Sequence, residues 1–123
     1  ADTAVVVDAS VLGKPADRAE AARMLASLAG RGHVVVTAVC LITEHTEHAF
    51  VDEASVSFRP LGSRHIDWSL ERGEWQGRAG GYAIQGSGGS LVDRIDGDFA
   101  TVVGLPIGRL MTLLEACRLA PWQ

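Results

Sequence analysis

The apolar run over positions 33–42 constrains the fold more than any other stretch of this chain. Valines at 34–36 and the segment 39–42 are separated by Thr37, whose hydroxyl suits a half-polar position. Such a long β-branched run predicts a strand that needs cover on both faces. The chain must therefore supply helices that pack against a sheet, which predicts an α/β fold.

Hydrophobic periodicity and turn residues predict the remaining elements in chain order. A strand at 4–7 is followed by a tight return at 11–12, and a helix over about 17–29 begins at Asp17 as its N-cap. The later elements are an amphipathic strand at 54–58, a short helix from Ser63 to about Gly73, strands at 90–95 and 99–103 joined by an Asp-Gly turn, and a last helix from Pro106. This order gives one sheet with flanking helices.

Length and composition limit the number of domains and the partners. A chain of 123 residues with 47% hydrophobic residues fits one domain, 1–123, with a sizeable core. A net charge of −4 without a basic cluster argues against a nucleic-acid binder, and no apolar run is long enough to span a bilayer. Cys40 and Cys117 lie in apolar surroundings far apart in sequence, so we expect reduced core thiols and a cytoplasmic protein.

Half of the segment 80–89 is glycine, which concentrates backbone freedom around two functional side chains, Tyr82 and Gln85. Glycine lacks a Cβ, so it reaches positive φ and lets another surface approach the chain closely. The segment therefore predicts either a turn that contacts a ligand or a flexible surface loop. Local sequence leaves both interpretations open.

Three polar side chains flank the ends of predicted elements: Asp2, Lys14 and Gln85. Ligands commonly bind at strand ends in α/β proteins. A carboxylate that holds Mg²⁺ or deprotonates water, a cation that neutralises phosphate and an amide that contacts a base edge would suit a nucleotide. The alternatives are a frayed Asp2 and a solvated turn lysine at 14.

A second polar cluster comprises Glu44, His45, Glu47 and His48. Histidine and carboxylate at short spacing can hold a metal ion, but this spacing matches no established site. A hairpin loop is the favoured interpretation.

Several sequence blocks occur in a specific order along nearly the whole chain. They are Ala1-Asp2-Thr3, Leu12-Gly13-Lys14-Pro15, Thr37-Ala38-Val39, Gly73-Glu74, Arg78-Ala79-Gly80-Gly81-Tyr82-Ala83-Ile84-Gln85-Gly86 and Val102-Val103-Gly104-Leu105-Pro106. Together they resemble the Maf family of nucleoside triphosphate pyrophosphatases, also called septum formation proteins. Arg78 stands where lysine is common in that family.

The resemblance implies a mixed sheet with flanking helices around a nucleotide cleft, as in inosine triphosphatases. It implies hydrolysis of a nucleoside triphosphate to the monophosphate and pyrophosphate, with Mg²⁺ or Mn²⁺, by a homodimer. Asp2 matches the catalytic acidic residue, with a metal contact, and Lys14 matches the phosphate-facing lysine. Thr3 and Gln85 match positions that govern base choice, in the form that the branch acting on dTTP and UTP carries.

Family members begin with a strand, a Ser-x-Ser-Pro-Arg-Arg loop and a helix, which do not precede Ala1 here. The expectation is therefore the larger, C-terminal part of a Maf domain, with impaired phosphate binding because the arginine pair is absent. Two alternatives stay open. One is a non-catalytic module that binds nucleotide or a protein partner in septum formation, and the other is the inosine triphosphate pyrophosphatase class.

Overall fold

The computed structural model describes residues 1–123 and contains one five-stranded sheet in the order β2-β1-β3-β4-β5. All four neighbouring strand pairs are antiparallel. The strands are β1 (Asp2–Val7), β2 (Ser10–Leu12), β3 (Gly32–Ile42), β4 (Glu47–Phe58) and β5 (Val92–Asp96).

Four α-helices and two 3₁₀ turns complete the fold. They are α1 (Arg18–Leu28), α2 (Ser63–Glu71), α3 (Phe99–Val103) and α4 (Ile107–Ala116), with 3₁₀ turns at Ala79–Gly81 and Ser87–Leu91. The predicted α/β class, with helices flanking one sheet, is confirmed.

The first strand and its return form as predicted, and so does the first helix. Asp8 and Ala9 at the β1–β2 turn have φ of 50° and 59°, the positive values that a tight two-residue hairpin needs. Asp17 caps α1, because its side chain accepts a hydrogen bond from the Glu20 amide at 2.8 Å. The face of α1 that packs into the core consists of Ala21, Met24, Leu25 and Leu28.

The core lies on one face of the sheet. Val35, Thr37 and Val39 of β3 are buried, whereas Ala38 and Cys40 on its other face are exposed. The expectation of cover on both faces is therefore wrong at this end of β3, because an antiparallel sheet needs a core on one side only. The core-thiol prediction is wrong for Cys40 for the same reason, and Cys117 is half-buried; both thiols are free.

The polar segment 44–48 closes the β3–β4 hairpin. The Thr43 amide donates to the Thr46 carbonyl at 2.9 Å, and Glu47 and His48 already belong to β4. The hairpin interpretation is confirmed. Farther along β4, the predicted inward face of Ala54, Val56 and Phe58 is buried.

The strand predicted at 99–103 is wrong, because this segment is helix α3. The Asp98 side chain accepts a hydrogen bond from the Ala100 amide at 2.9 Å and so caps a helix instead of closing a hairpin. Thr101 and Val102 then pack into the core. Upstream, β5 begins at Val92 rather than at 90, because the preceding residues form the 3₁₀ turn Ser87–Leu91.

The remaining two helices form close to their predicted positions. Helix α2 is capped by Gly62 rather than by Ser63, which is its first residue. Pro106 caps α4, but no residue of α4 is buried, and Ile107 is 46% exposed. No helix in this chain has the length and apolar character that a bilayer crossing requires.

Candidate active site

A cleft of about 640 Å³ opens beside the first residues of β1. Its walls are the start of β1, the loop after β2, the segment 73–86 and the end of α3. Asp2, Thr3, Lys14 and Gln85, the four residues singled out in the sequence, all line this cleft. The fold therefore brings together side chains that are up to 83 positions apart, from Asp2 to Gln85.

Asp2 and Lys14 are two of the charged residues that line the cleft, together with Glu74 and Arg78. Asp2 is the first residue of β1, is exposed and accepts a hydrogen bond from the Thr3 amide at 3.0 Å through Oδ1. Lys14 follows β2 and is exposed, while the adjacent Pro15 is buried and anchors the loop. Asp2 therefore belongs to the sheet, and both charges remain available to a ligand.

The glycine-rich segment packs against the sheet and does not project from it. Gly80 and Gly81 have φ of 72° and 84°, and a Cβ at position 80 would lie 2.9 Å from Val5 Cγ2. The Gly80 amide donates to the Gly13 carbonyl at 3.1 Å, which joins this segment to the loop that carries Lys14. Glycine is needed here because both a positive φ and a close approach are required.

The buried side chain of Tyr82 holds the glycine-rich segment against the core. It is 7% exposed, and its hydroxyl lies 2.7 Å from Nε2 of the buried His33. Burial lowers the pKa of His33 to about 4 and raises the pKa of Tyr82. At neutral pH the imidazole is uncharged and the phenol is protonated, so this pair supports the wall of the cleft and supplies no charge to it.

Glu74 fixes the residues that follow Gln85. Its Oε2 accepts hydrogen bonds from the Ser87 amide at 2.6 Å and from the Ser87 hydroxyl at 2.5 Å. These bonds hold the pKa of the Glu74 carboxyl below its usual value, and the charges of Arg72 and Arg78 act in the same direction. A Cβ at position 86 would lie 2.5 Å from Glu74 Oε2, so a larger residue there would displace the Glu74 carboxylate.

A chain of threonine hydroxyls runs from the cleft into the core. Thr3 Oγ1 lies 2.9 Å from Thr37 Oγ1, and the Thr37 hydroxyl donates to the Thr101 carbonyl at 2.8 Å. In the sequence Thr37 is a half-polar position and belongs to the block Thr37-Ala38-Val39, but neither Thr37 nor Glu74 is predicted as a site residue. The signal for Glu74 was its place in the Gly73-Glu74 block, but neither pairing produces a periodic pattern.

The cleft could hold a divalent cation only if a bound ligand or water supplied most of the oxygen donors. Ser87 engages Oε2 of Glu74, whereas Asp2 is exposed and accepts a hydrogen bond only through Oδ1, so Asp2 is the more available carboxylate. No three His, Cys, Asp or Glu side chains lie close enough together to hold a metal ion by themselves. Mg²⁺ is commonly bound in this way, by one or two carboxylates together with substrate phosphates and water.

Comparison with known proteins places the chain in a family. A family model described as Maf-like protein matches residues 1–117. A dTTP/UTP pyrophosphatase of Symbiobacterium thermophilum is 49% identical over 114 residues, which cover 93% of this chain and 59% of that relative. The proteins of the same name from Bacillus velezensis and Myxococcus xanthus are 48% and 46% identical, with 94% and 100% of this chain and 61% and 63% of the relatives covered.

This chain thus spans about three fifths of the length of the relatives it matches. The match to the family model nevertheless extends from the first residue of the chain to the end of α4, and it includes every residue of the cleft. The chain therefore belongs to the Maf family.

Proposed function

We propose that this chain carries the catalytic and base-binding parts of a pyrophosphatase that hydrolyses dTTP and UTP to the monophosphate and pyrophosphate. The observation that carries the proposal is the convergence of Asp2, Thr3, Lys14 and Gln85 on one cleft. Its volume of about 640 Å³ is typical of a small-molecule site. The names of the relatives supply the substrate class.

In the proposed reaction the Asp2 carboxylate accepts a proton from a water molecule. The water oxygen bonds to the α-phosphorus, the bond from that phosphorus to the bridging oxygen breaks, and pyrophosphate leaves with the bridging oxygen. Lys14 neutralises charge on the phosphates. Mg²⁺ or Mn²⁺, held by Asp2 and phosphate oxygens, would contribute further charge neutralisation.

Thr3 and Gln85 contact the base in this proposal. The Gln85 amide offers one donor group and one acceptor, which match the imide edge of thymine or uracil. The glycines at 80 and 81 let this wall of the cleft pack closely on Val5 and Ala21, and Glu74 holds the chain beyond Gln85 in place.

We further propose that residues 1–123 form one domain of a cytoplasmic homodimer. A single core supports the first part, since residues from β1, α1, β4 and α2 share one hydrophobic cluster. Two free thiols suit a reducing compartment. The exposed apolar side chains Val51 and Ile107 offer surface for a second copy.

The test is the release of pyrophosphate from dTTP and UTP with Mg²⁺ or Mn²⁺. Asp2→Asn removes the proton acceptor, and we expect a loss of roughly 10²- to 10⁴-fold in kcat. Asp93→Asn is the matched control, because Asp93 is exposed on β5 outside the cleft. Equal activity of Asp2→Asn and Asp93→Asn would contradict the proposal.

The same assay, combined with a measurement of nucleotide binding, separates the two alternative functions. Nucleotide binding without pyrophosphate release would support a non-catalytic module. A preference for ITP over dTTP would support the inosine triphosphate class.

A further inference from the structure

The threonine chain beneath the cleft has a fixed direction. Thr3 on β1 and Thr37 on β3 are directly opposite each other in the sheet, and Thr37 is completely buried. A backbone carbonyl can only accept a hydrogen bond, so the single Thr37 hydroxyl proton goes to the Thr101 carbonyl. The contact of 2.9 Å between Thr3 and Thr37 then requires the Thr3 hydroxyl to donate to Thr37.

This direction determines what Thr3 offers to a ligand. With its proton committed to Thr37, the Thr3 oxygen has only lone pairs for any further hydrogen bond. Thr3 lines the cleft, and Gly104 leaves space beside its hydroxyl, since a Cβ at 104 would lie 3.4 Å from Thr3 Oγ1. The cleft therefore presents a hydrogen-bond acceptor at this position.

Gln85 has no such constraint. Its side chain is exposed in the cleft, where the amide can turn through 180° and exchange its donor and acceptor. In one orientation it pairs with the imide edge of thymine or uracil, and in the other with the amino edge of cytosine. Gln85 by itself therefore cannot distinguish these bases.

We propose that Thr37 is a positioning residue that sets the base preference of the cleft. By holding the Thr3 hydroxyl as an acceptor, it favours a base that donates at N3, as thymine and uracil do. Cytosine has a lone pair at N3, which would face the lone pairs of Thr3. This inference rests on the proposed function, in which Thr3 and Gln85 contact the base.

Two substitutions at position 37 separate this role from a packing role. Thr37→Val keeps the shape of the side chain and removes the hydroxyl, so the Thr3 hydroxyl is free to rotate and donate to cytosine N3. Thr37→Ser removes a methyl group from the core but keeps the hydroxyl chain. A packing role predicts the larger effect for serine, whereas the proposed role predicts it for valine.

The experiment compares kcat/KM for dTTP with kcat/KM for dCTP, measured by pyrophosphate release. We expect the wild-type chain to prefer dTTP. Thr37→Val should reduce the ratio of kcat/KM for dTTP to kcat/KM for dCTP roughly tenfold, which is the change expected for one hydrogen bond. Thr37→Ser should retain the wild-type ratio. Thr112→Val is the matched control, because Thr112 lies on α4 and its hydroxyl contacts only the Gly108 carbonyl.

The outcomes distinguish this proposal from the proposed function. A wild-type chain that hydrolyses dTTP, with the same dTTP-to-dCTP ratio in Thr37→Val, would overturn the role of Thr37 and leave the proposed function intact. A wild-type chain that hydrolyses neither nucleotide would overturn both. A neutron structure tests the direction without turnover: we expect the Thr3 deuteron on the line to Thr37 Oγ1, and a deuteron directed into the cleft would overturn the proposal.

Discussion

Single side chains hold the backbone that carries the groups facing the cleft, and Glu74, which itself lines the cleft, is the clearest example. Its carboxylate receives two hydrogen bonds from Ser87, two positions after Gln85. A hydrogen bond to a charged acceptor is stronger than one between neutral groups. Glu74 therefore restrains the backbone that carries Gln85, although its hydrogen bonds go to Ser87 and not to Gln85.

Glu74→Gln should loosen this restraint. The neutral amide is a weaker acceptor, so we expect hydrogen exchange of the Ser87 amide to accelerate roughly tenfold. Glu71→Gln, an exposed position at the end of α2, is the control and should leave the exchange rate unchanged. An unchanged rate at Ser87 in Glu74→Gln would show that Glu74 does not restrain this segment.

The restraint should also depend on pH. Because the folded-state pKa of Glu74 lies below its usual value of 4.5, its contribution is complete above that value and is lost as the pH falls through the lowered pKa. The Ser87 amide chemical shift should therefore titrate below pH 4.5 in the wild-type chain. Glu74→Gln should show no such transition.

Among the elements, the glycine-rich segment packs on the sheet and also carries residues that line the cleft. It lies against β1 at Val5 and against α1 at Ala21, and its conformation uses two glycines with positive φ. Side chains at these positions would raise the backbone energy and, at position 80, would also displace Val5.

A comparison of Gly80→Ala with Gly77→Ala separates the cost of a side chain at positive φ from the cost of displacing Val5. Both glycines have nearly the same φ, 72° and 71°, but only a Cβ at 80 meets the protein, at 2.9 Å from Val5 Cγ2. We expect Gly77→Ala to cost about 1 kcal/mol of unfolding free energy and Gly80→Ala about 1–3 kcal/mol more. Urea unfolding of both variants measures the difference. Equal values would mean that the segment does not pack on β1.

Elements with a strong local signal could be predicted from the sequence, and α1 is the clearest example. Asp17 and the buried stripe from Ala21 to Leu28 identify the helix without tertiary information. The segment Phe99–Val103 could not be predicted in this way. Its β-branched residues and the preceding Asp-Gly pair favour a hairpin locally, whereas the Asp98 cap and the burial of Thr101 produce a helix.

The candidate site likewise contains residues that the sequence identifies and residues that it does not. The sequence blocks identify Asp2, Thr3, Lys14 and Gln85, and the fold places all four in one cleft. The pairs that hold them in place could not be predicted, because the hydrogen bond from Ser87 to Glu74 and the contact of Thr3 with Thr37 join positions 13 and 34 residues apart. Pairs of this kind depend on the register of the chain and leave no local pattern.

For the molecule as a whole, His33 makes stability depend on pH. It is 4% exposed between the rings of Phe58 and Tyr82, and its Nδ1 has no hydrogen-bond partner. Burial lowers its pKa from 6.5 to about 4, so between these values the unfolded chain binds a proton that the folded chain does not. Stability should therefore fall as the pH decreases from 6.5 to about 4.

The expected loss over this range is about 3 kcal/mol of unfolding free energy. Urea unfolding at several pH values measures it, and His33→Leu should remove most of the pH dependence. His45→Gln, at the exposed tip of the β3–β4 hairpin, should retain it. If His33→Leu does not fold, NMR titration of the wild-type ring decides, and a pKa near 6.5 would contradict the prediction.

The central claim for the whole molecule is that one cleft holds both the base and the phosphates. A crystal structure of the chain with Mg²⁺ and a dTTP analogue that carries an imido bridge between the α- and β-phosphates tests it most directly. We expect the thymine ring between Thr3 and Gln85 and the triphosphate beside Asp2 and Lys14. An analogue bound outside this cleft, or with the base beside Lys14, would contradict it.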